Sequence, residues 1–234
     1  MTTQETLDQI ASEVAVCTNC ALHKGRIMSV PGEGPANAEI MLIGEGPGAT
    51  EDAQGRPFIG AAGKFLVELL GQAGLKRTDV WICNVVKCRP PLNRDPLPEE
   101  LAACNLYLER QIAAINPKII ITLGRFSMGK FMPGVKITQV HGQMRKINGR
   151  FVIAMFHPAA ALHQAALKPA ILADFARLPQ LLEVARKAPD ASDGREPVSQ
   201  PAPAATPALE QAKPVQLPAD ESEKAEEPKQ MKLF

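Results

Sequence analysis

Short apolar runs alternate along the chain with segments whose apolar residues recur at helical spacing. The apolar runs lie at 38–43, 80–86 and 118–123. Helical spacing covers 7–16, 60–73, 98–115 and 168–186. An uninterrupted apolar run predicts a strand that is buried on both faces. Strands that alternate with helices predict a mainly parallel sheet in a three-layer α/β/α arrangement, and such sheets bind ligands beyond the carboxyl ends of their strands.

The carboxyl ends of the predicted strands lead into three segments with unusual composition. The first strand runs into Gly-Glu-Gly-Pro-Gly at 44–48, and Asn84 interrupts the second strand near its end. Asn148-Gly149 predicts a hairpin, whose second strand leads directly to His157. Because these segments meet at one edge of the sheet, we expect a ligand site there.

Composition divides the chain into two parts. Residues 187–234 contain six Lys/Arg, nine Asp/Glu and eight of the 21 prolines, which leaves 20 Lys/Arg and 16 Asp/Glu for residues 1–186. We expect a folded, mildly basic domain over 1–186 and a disordered Pro/Ala/Glu-rich tail over 187–234. An apolar run of 18 residues is absent, which excludes a transmembrane helix, and the polar first ten residues predict no secretory signal. The expected location is therefore cytoplasmic.

Four of the five cysteines form two pairs. Cys17 and Cys20 are spaced as Cys-x-x-Cys, whereas Cys88 follows a predicted strand and Cys104 lies in the next predicted helix. Four thiolates suit either a tetrahedral Zn²⁺ or a [4Fe–4S] cluster, and the spacing leaves both open. Unrelated buried thiols are the remaining alternative. Cys83 lies inside the strand pattern, so we interpret it as a core residue.

Three side chains near the predicted ligand edge carry suitable chemistry. Phe58 lies in a loop between glycines, where it either stacks on a planar ring or fills the core. The amide of Asn84 offers a donor and an acceptor to a base edge, although it can also bond to its own backbone. A lone histidine is more often structural than catalytic, but His157 lies at a strand-to-loop junction, where a functional role is more frequent. Together these three residues converge on one edge of the sheet.

The motifs CTNC, GEGPGATED, GRPFIG, NVVKCRPPLNR and HPAAAL, in this order, resemble those of the family-4 uracil-DNA glycosylases, the iron–sulfur branch of that superfamily. The resemblance covers about residues 7–186. It implies a three-layer sandwich with a mainly parallel sheet, and a monofunctional enzyme that starts base excision repair by removing uracil from DNA. It also implies a [4Fe–4S] cluster bound by the four paired cysteines.

The resemblance assigns roles by position. Gly44, Glu45 and Gly46 correspond to the loop that lines the uracil pocket, and Phe58 corresponds to the stacking ring. Asn84 corresponds to the group that reads the base edge, and His157 to the donor to uracil O2. Related branches place a water-positioning Asp where this chain has Gly46. Glu45 is therefore our first candidate for that catalytic role and Asn93 the second.

Contacts with DNA are also implied. Residues 158–164, including Ala161 and Leu162, correspond to the loop that enters the minor groove and fills the gap left by the extruded base. The expected phosphate contacts come from basic residues around the predicted site, namely Lys24, Arg26, Arg89, Arg94 and Lys168.

The last five residues, Gln230-Met231-Lys232-Leu233-Phe234, resemble the peptides with which bacterial repair and replication proteins bind the sliding clamp. In such peptides Gln230 would orient the chain, and apolar residues such as Leu233 and Phe234 would fill a pocket. A chance apolar terminus is the alternative. We expect the protein to be a monomer.

Three other functions compete with this assignment. The fold could serve as a non-catalytic iron–sulfur DNA-binding or damage-sensing module. A relative that traps uracil covalently is disfavoured, because residues 89–98 contain neither a histidine nor an insertion. A redox protein is disfavoured because the sequence offers no second cofactor site.

Overall fold

Five strands form one sheet in the computed structural model, which describes residues 1–188. They are β1 (Ile40–Gly44), β2 (Trp81–Asn84), β3 (Ile119–Leu123), β4 (Met144–Ile147) and β5 (Arg150–Met155). Their order across the sheet is β2-β1-β3-β5-β4, and β4 pairs antiparallel with β5 while the other neighbours are parallel. The mainly parallel sheet is thus confirmed.

Helices cover both faces of this sheet. The α-helices of the described chain are α1 (Thr3–Val16), α2 (Ala49–Gln54), α3 (Ala61–Gln72), α4 (Pro98–Ile115), α5 (Arg125–Phe131), α6 (Ile137–Val140), α7 (Pro158–His163), α8 (Lys168–Ala176) and α9 (Leu178–Lys187). Alternate residues of β1 separate the two cores: Leu42 packs with α3, α8 and α9, whereas Ile43 packs with α1, α4 and α5. The expected three-layer sandwich is confirmed.

The closing helix differs from the prediction. The sequence predicts one helix over 168–186, but the chain forms α8 and α9, with Arg177 between them. Pro179 lies in the first turn of α9. Proline lacks a backbone N–H and is tolerated there but not inside a continuous helix, so it marks a new start rather than an interior position.

Residues 158–164 were expected to form a loop, and this expectation is wrong for 158–163, which form α7. His157 is the N-cap: its Nδ1 accepts a hydrogen bond of 3.1 Å from the backbone N–H of Ala159. Pro158 occupies the first helical position, which proline favours. The expected DNA-contacting segment is therefore a helix that is capped by His157, the candidate donor to uracil O2.

The two edges of the sheet are protected differently. At β2, Glu33 exchanges two backbone hydrogen bonds with Ile82, of 2.9 and 2.8 Å. At β4, Arg145 and Lys146 are exposed. Within residues 1–188, none of the helices is both long and apolar enough to cross a bilayer. The predicted tail lies beyond residue 186 and almost wholly outside the described residues, as does the peptide at 230–234.

Candidate active site

Three strand ends meet at one edge of the sheet, as the alternating pattern predicts. Gly44 ends β1 and pairs in register with Asn84, which ends β2. A Cβ on Gly44 would lie 2.4 Å from Oδ1 of Asn84 and 2.6 Å from Cζ of Phe58. Gly44 therefore brings the amide and the phenyl ring together over the strand end, because any larger residue would displace both.

Phe58 and His157 lie side by side at this edge. Their ring centroids are 5.5 Å apart and their planes differ by 31°. Phe58 is buried and belongs to the core cluster on the α3 side, but its backbone adopts a left-handed φ of 50°. Such a φ is unfavourable for a bulky side chain. The residue thus fills the core edge while presenting its ring beside Gly44 and His157.

Two residues that the sequence analysis missed hold Phe58 in this conformation. Arg77 donates a hydrogen bond of 2.9 Å from Nη1 to the main-chain oxygen of Phe58. Oε1 of Glu51 accepts hydrogen bonds from the backbone N–H groups of Ile59 and Gly60, at 2.9 and 2.8 Å. Gly60 is the N-cap of α3 and has no side chain that could cap the helix. A glycine at this position indicates that another residue accepts hydrogen bonds from the first N–H groups of the helix.

The side chain of Asn84 is buried, and its Oδ1 has no hydrogen-bond partner in the described chain. A buried, unpaired amide oxygen costs free energy, so its presence beside Phe58 indicates a ligand site. The alternative, an Asn bonded to its own backbone, is not supported for this oxygen. The main-chain oxygen of Asn84 accepts a hydrogen bond of 2.9 Å from the ammonium of Lys87, which also donates to Gln111 at 2.7 Å.

His157 is set up as a neutral hydrogen-bond donor. Burial lowers its pKa to about 4, against a smaller opposing effect of Glu51. Since Nδ1 accepts from the N–H of Ala159, the single proton of the neutral ring is on Nε2. At neutral pH, Nε2–H can therefore donate to a ligand without carrying a charge.

Glu45 lies immediately after Gly44 and is partly buried. Burial raises its pKa, Asp95 raises it further, and Arg125 opposes both effects. Gly46 lies close to Val86 and Pro90, on the loop after β2. Glu45 is thus a candidate carboxylate that lies next to the end of β1, at this edge of the sheet.

Asn93, the second candidate for water positioning, has a different environment. Its side chain is exposed, and its Oδ1 accepts a hydrogen bond of 2.8 Å from Nε of Arg89. This contact turns the amide toward a surface arginine. The structure therefore favours Glu45 over Asn93 for that role.

The four paired cysteines lie around one cavity. Cys17 follows α1, Cys20 precedes a 3₁₀ turn, Cys88 follows β2 and Cys104 lies in α4; all four line this cavity, together with Arg26, Lys87 and Tyr107. Cys83 is fully buried in β2, which confirms it as a core residue. The four thiols of the two cysteine pairs thus line the same cavity.

Hydrogen-bond donors are directed at three of these sulfur atoms. Nη1 of Arg26 lies 3.2 Å from Sγ of Cys88, the backbone N–H of Lys87 lies 3.2 Å from Sγ of Cys104, and that of Asn19 lies 3.5 Å from Sγ of Cys17. Such donors stabilise thiolates and sulfur-ligated clusters. Arg26 also donates to the main-chain oxygens of Ala15 and Cys17, so its expected role at DNA phosphate is not supported.

The remaining residues predicted to contact DNA lie in varied environments. On α7, Ala161 is buried and Leu162 is half-exposed. Arg94 forms a bidentate pair with the buried carboxylate of Glu100. Nζ of Lys168 lies 5.4 Å from the ring centroid of Phe65. Of the basic residues predicted to contact phosphate, Lys24 is exposed and Arg89 is partly exposed.

Comparison with known proteins places the chain in one superfamily. The profile of the Uracil DNA glycosylase superfamily matches residues 31–177. The chain is 45% identical over 187 residues to a type-4 uracil-DNA glycosylase of Archaeoglobus fulgidus, covering 76% of this chain and 94% of the relative. It is 50% identical over 166 residues to a type-4 uracil-DNA glycosylase of Thermotoga maritima, covering 69% and 86%.

A more distant relative is a type-5 uracil-DNA glycosylase of Thermus thermophilus, 32% identical over 149 residues, with 55% of this chain and 68% of the relative covered. The type-4 relatives thus share more of their length and more of their residues with this chain. The chain belongs to the uracil-DNA glycosylase superfamily and, within it, to the type-4 uracil-DNA glycosylases.

Proposed function

We propose that this protein is a monofunctional DNA glycosylase that extrudes uracil from DNA and hydrolyses its N-glycosidic bond, the first step of base excision repair. The observation that carries the proposal is the neutral Nε2–H of His157 beside the ring of Phe58 and the unpaired amide oxygen of Asn84. A base within a duplex is unreachable, so the reaction begins with extrusion at a cost of a few kcal/mol.

The pocket binds the extruded base through its face and its edge. Phe58 stacks on the ring, while the amide of Asn84 pairs with the imide edge of uracil. The absence of a Cβ at Gly44 allows both side chains to lie this close to the strand end. Because an amide oriented to donate to a 4-oxo group faces an amino group in cytosine, Asn84 disfavours cytosine.

Cleavage breaks the bond between the sugar and N1 of uracil, and the bonding electrons stay on the base. His157 donates a hydrogen bond from Nε2 to O2, where negative charge develops. The carboxylate of Glu45 stabilises the cationic sugar and orients the water that attacks it. Burial strengthens both interactions, because the effective dielectric constant is lower than in water.

The test is abasic-site formation on a uracil-containing oligonucleotide, with matched thymine and hypoxanthine oligonucleotides as controls. His157→Ala should lower the rate by about 10²–10³-fold, as expected for loss of one oxyanion donor. Binding of the same oligonucleotide should persist. A non-catalytic module would bind DNA without forming abasic sites in the wild-type protein, and that result would reject the proposal.

We further propose that Cys17, Cys20, Cys88 and Cys104 bind a [4Fe–4S] cluster with a structural role. Support comes from four thiols around one cavity and from three N–H donors directed at their sulfur atoms. Four thiolates suit both a tetrahedral Zn²⁺ and a [4Fe–4S] cluster. The resemblance of the cysteine motifs to the iron–sulfur branch of the superfamily favours the cluster.

Metal analysis tests this assignment directly. Anaerobically purified protein should contain about four irons per chain and show a visible sulfur-to-iron absorption band. Cys104→Ser should lower the iron content, and Cys83→Ser should not. Stoichiometric zinc without iron would reject the cluster.

Leu162 is half-exposed on α7, the segment that corresponds to the DNA-contacting loop of the family. We propose that Leu162, next to the buried Ala161, enters the minor groove and fills the gap left by the extruded base. Residues 1–186 constitute the catalytic domain in this proposal, and the enzyme acts as a cytoplasmic, nucleoid-associated monomer.

The tail at 187–234 is proposed to tether this domain to the sliding clamp through Gln230, Leu233 and Phe234. A flexible coil of the length of this tail would have a root-mean-square span of about 35–40 Å, which would permit tethering without a fixed orientation. Deletion of residues 230–234 should abolish clamp pull-down and preserve excision on a free oligonucleotide. Unchanged clamp binding would exclude this role.

A further inference from the structure

We propose that Leu92 is a second apolar contact with the DNA duplex, beside the extruded nucleotide and separate from Leu162. The proposal rests on the glycosylase activity given above. The loop that carries Leu92 follows β2 and Cys88, and we name residues 89–95 the arginine–proline loop.

Leu92 combines high exposure with an unfavourable backbone conformation. Its surface is 95% exposed, and its φ and ψ are 53° and 23°. Five non-glycine residues of the described chain have left-handed φ, and three of them are Asn, which tolerates it. The other two are Leu92 and Phe58. Phe58 forms the candidate pocket, and strain of this kind concentrates at functional sites.

The arginine–proline loop is held rigidly by its own contacts. The N–H groups of Asn93 and Arg94 donate to the main-chain oxygens of Pro90 and Pro91, at 3.0 and 3.1 Å. Arg94 also binds the buried carboxylate of Glu100 through two hydrogen bonds, of 2.9 and 2.7 Å. Leu92 is therefore presented to solvent on a fixed turn, so its exposure is built into the fold.

This loop borders the candidate active site. Pro90 approaches Gly46, since a Cβ on Gly46 would lie 3.5 Å from Cδ of Pro90. Asp95, at the other end of the loop, is close enough to Glu45 to raise its pKa. Leu92 thus lies within a loop whose two ends approach the residues that follow β1.

The strands that precede the two exposed leucines lie on opposite sides of β1 and β3. Leu92 follows β2 and Leu162 follows β5, while β1 and β3 lie between these strands. Both segments leave the sheet at its carboxyl edge, where the base is bound. Strands about 4.8 Å apart put the two starting points roughly 14 Å from each other.

The chemistry of the loop fits duplex DNA. Arg89 lies three residues before Leu92 and is partly exposed, and guanidinium groups bind phosphate. Apolar side chains that enter between base steps kink the duplex and lower the cost of extrusion. An exposed leucine near this arginine therefore matches a wedge beside a phosphate contact.

The test replaces Leu92 with a residue that suits its backbone but cannot act as an apolar wedge. Leu92→Asn retains a side chain that tolerates left-handed φ, and Leu92→Met retains the apolar character. Val184→Asn, on the half-exposed outer face of α9, is the matched control for loss of an exposed apolar side chain. Each variant is assayed in the full-length protein for thermal unfolding and for kcat/KM on uracil in duplex and in single-stranded DNA.

Leu92→Asn should lose activity on duplex DNA without losing thermal stability. The unfolding midpoint should be equal or higher, because strain is relieved and no buried contact is lost. On duplex DNA, kcat/KM should fall by about tenfold or more, whereas on single-stranded DNA it should fall by about threefold or less, because no base pair needs to be opened there. Leu92→Met and Val184→Asn should keep activity on both substrates.

Every other result overturns the proposal. A lower unfolding midpoint for Leu92→Asn would show that Leu92 has a structural role. An equal loss of kcat/KM on both substrates would indicate general DNA binding rather than a wedge. Unchanged kcat/KM on duplex DNA would show that Leu92 has no role in base extrusion. If the wild-type protein releases no uracil from either substrate, the proposed function fails first.

Discussion

The ammonium group of Lys87 lies 2.9 Å from the main-chain oxygen of Asn84, and the backbone N–H of the same lysine lies 3.2 Å from Sγ of Cys104. One buried residue thus connects the end of β2 with one of the four cysteines around the cavity. The proposed cluster would therefore act on the proposed base-recognition site without touching the base.

Lys87→Met is expected to damage stability and recognition together. The change leaves the main-chain oxygen of Asn84 and Oε1 of Gln111 without their donor, at a cost of about 1–3 kcal/mol of unfolding free energy for a buried unpaired group. Because Asn84 is then less well fixed, discrimination of uracil from cytosine should fall. Denaturant unfolding and excision of both bases measure these effects.

Lys64→Met is the control for loss of a lysine charge, because Lys64 is exposed on α3. It should leave unfolding and discrimination unchanged. Wild-type selectivity in Lys87→Met would show that the lysine does not position Asn84.

Gly44→Ala should close the pocket while preserving the fold. The new Cβ would lie 2.4 Å from Oδ1 of Asn84 and 2.6 Å from the ring of Phe58, so both side chains must move. We expect kcat/KM on uracil to fall by about 100-fold, roughly 2.7 kcal/mol of transition-state stabilisation.

The matched control is Gly71→Ala on α3, where an added Cβ meets nothing within 4 Å. An alanine inside a helix stabilises by about 0.5–1 kcal/mol relative to glycine, so this variant should be active and slightly more stable. If Gly44→Ala excised uracil as fast as Gly71→Ala, the proposed pocket would be wrong.

The acid limb of the pH–rate profile should belong to Glu45. Burial and Asp95 raise the pKa of this carboxyl, so its reactive ionised form is lost at a higher pH than for an ordinary glutamate. His157 keeps its neutral form down to about pH 4. Glu45→Gln should be slower. Its kcat/KM profile from pH 4 to 8 should lack the fall in activity that protonation of Glu45 causes in the wild-type protein. An identical limb in that variant would assign it to another group.

His157 should also make folding stability depend on pH. In the unfolded chain its pKa returns to the ordinary 6.5, whereas in the folded chain it is about 4. Between these values the unfolded state binds more protons, so the stability of the wild-type protein falls as pH decreases from about 6.5 to about 4. His157→Asn removes this group, so its stability relative to wild type should improve over the same interval. Urea unfolding at pH 7.5 and pH 5 checks the sign, and a constant difference would contradict it.

The sequence predicted the sheet and the residues at its edge because both follow from local patterns. Apolar runs locate β1, β2 and β3, and the residues that end these strands necessarily share an edge. The fixed spacing of Cys17 and Cys20 likewise places two thiols together.

The supporting contacts could not be predicted in this way. Arg77 binds the carbonyl of Phe58 across 19 residues, and Lys87 binds Gln111 across 24. No sequence period relates such partners, since their proximity depends on tertiary packing. The break between α8 and α9 has a local signal, because Pro179 marks the start of α9. The apolar spacing, however, continues across the break and predicts a single helix.

The two sheet edges have a consequence for self-association. At the β2 edge, a strand from another molecule would compete with Glu33, which already forms backbone hydrogen bonds with Ile82. At the β4 edge, pairing of two copies would bring the exposed Arg145 and Lys146 of one molecule close to the same residues of the other. Like charges facing each other across a newly formed ladder repel. Crowding many copies onto one damaged stretch of chromosome should therefore not seed growth of a continuous sheet from protein to protein.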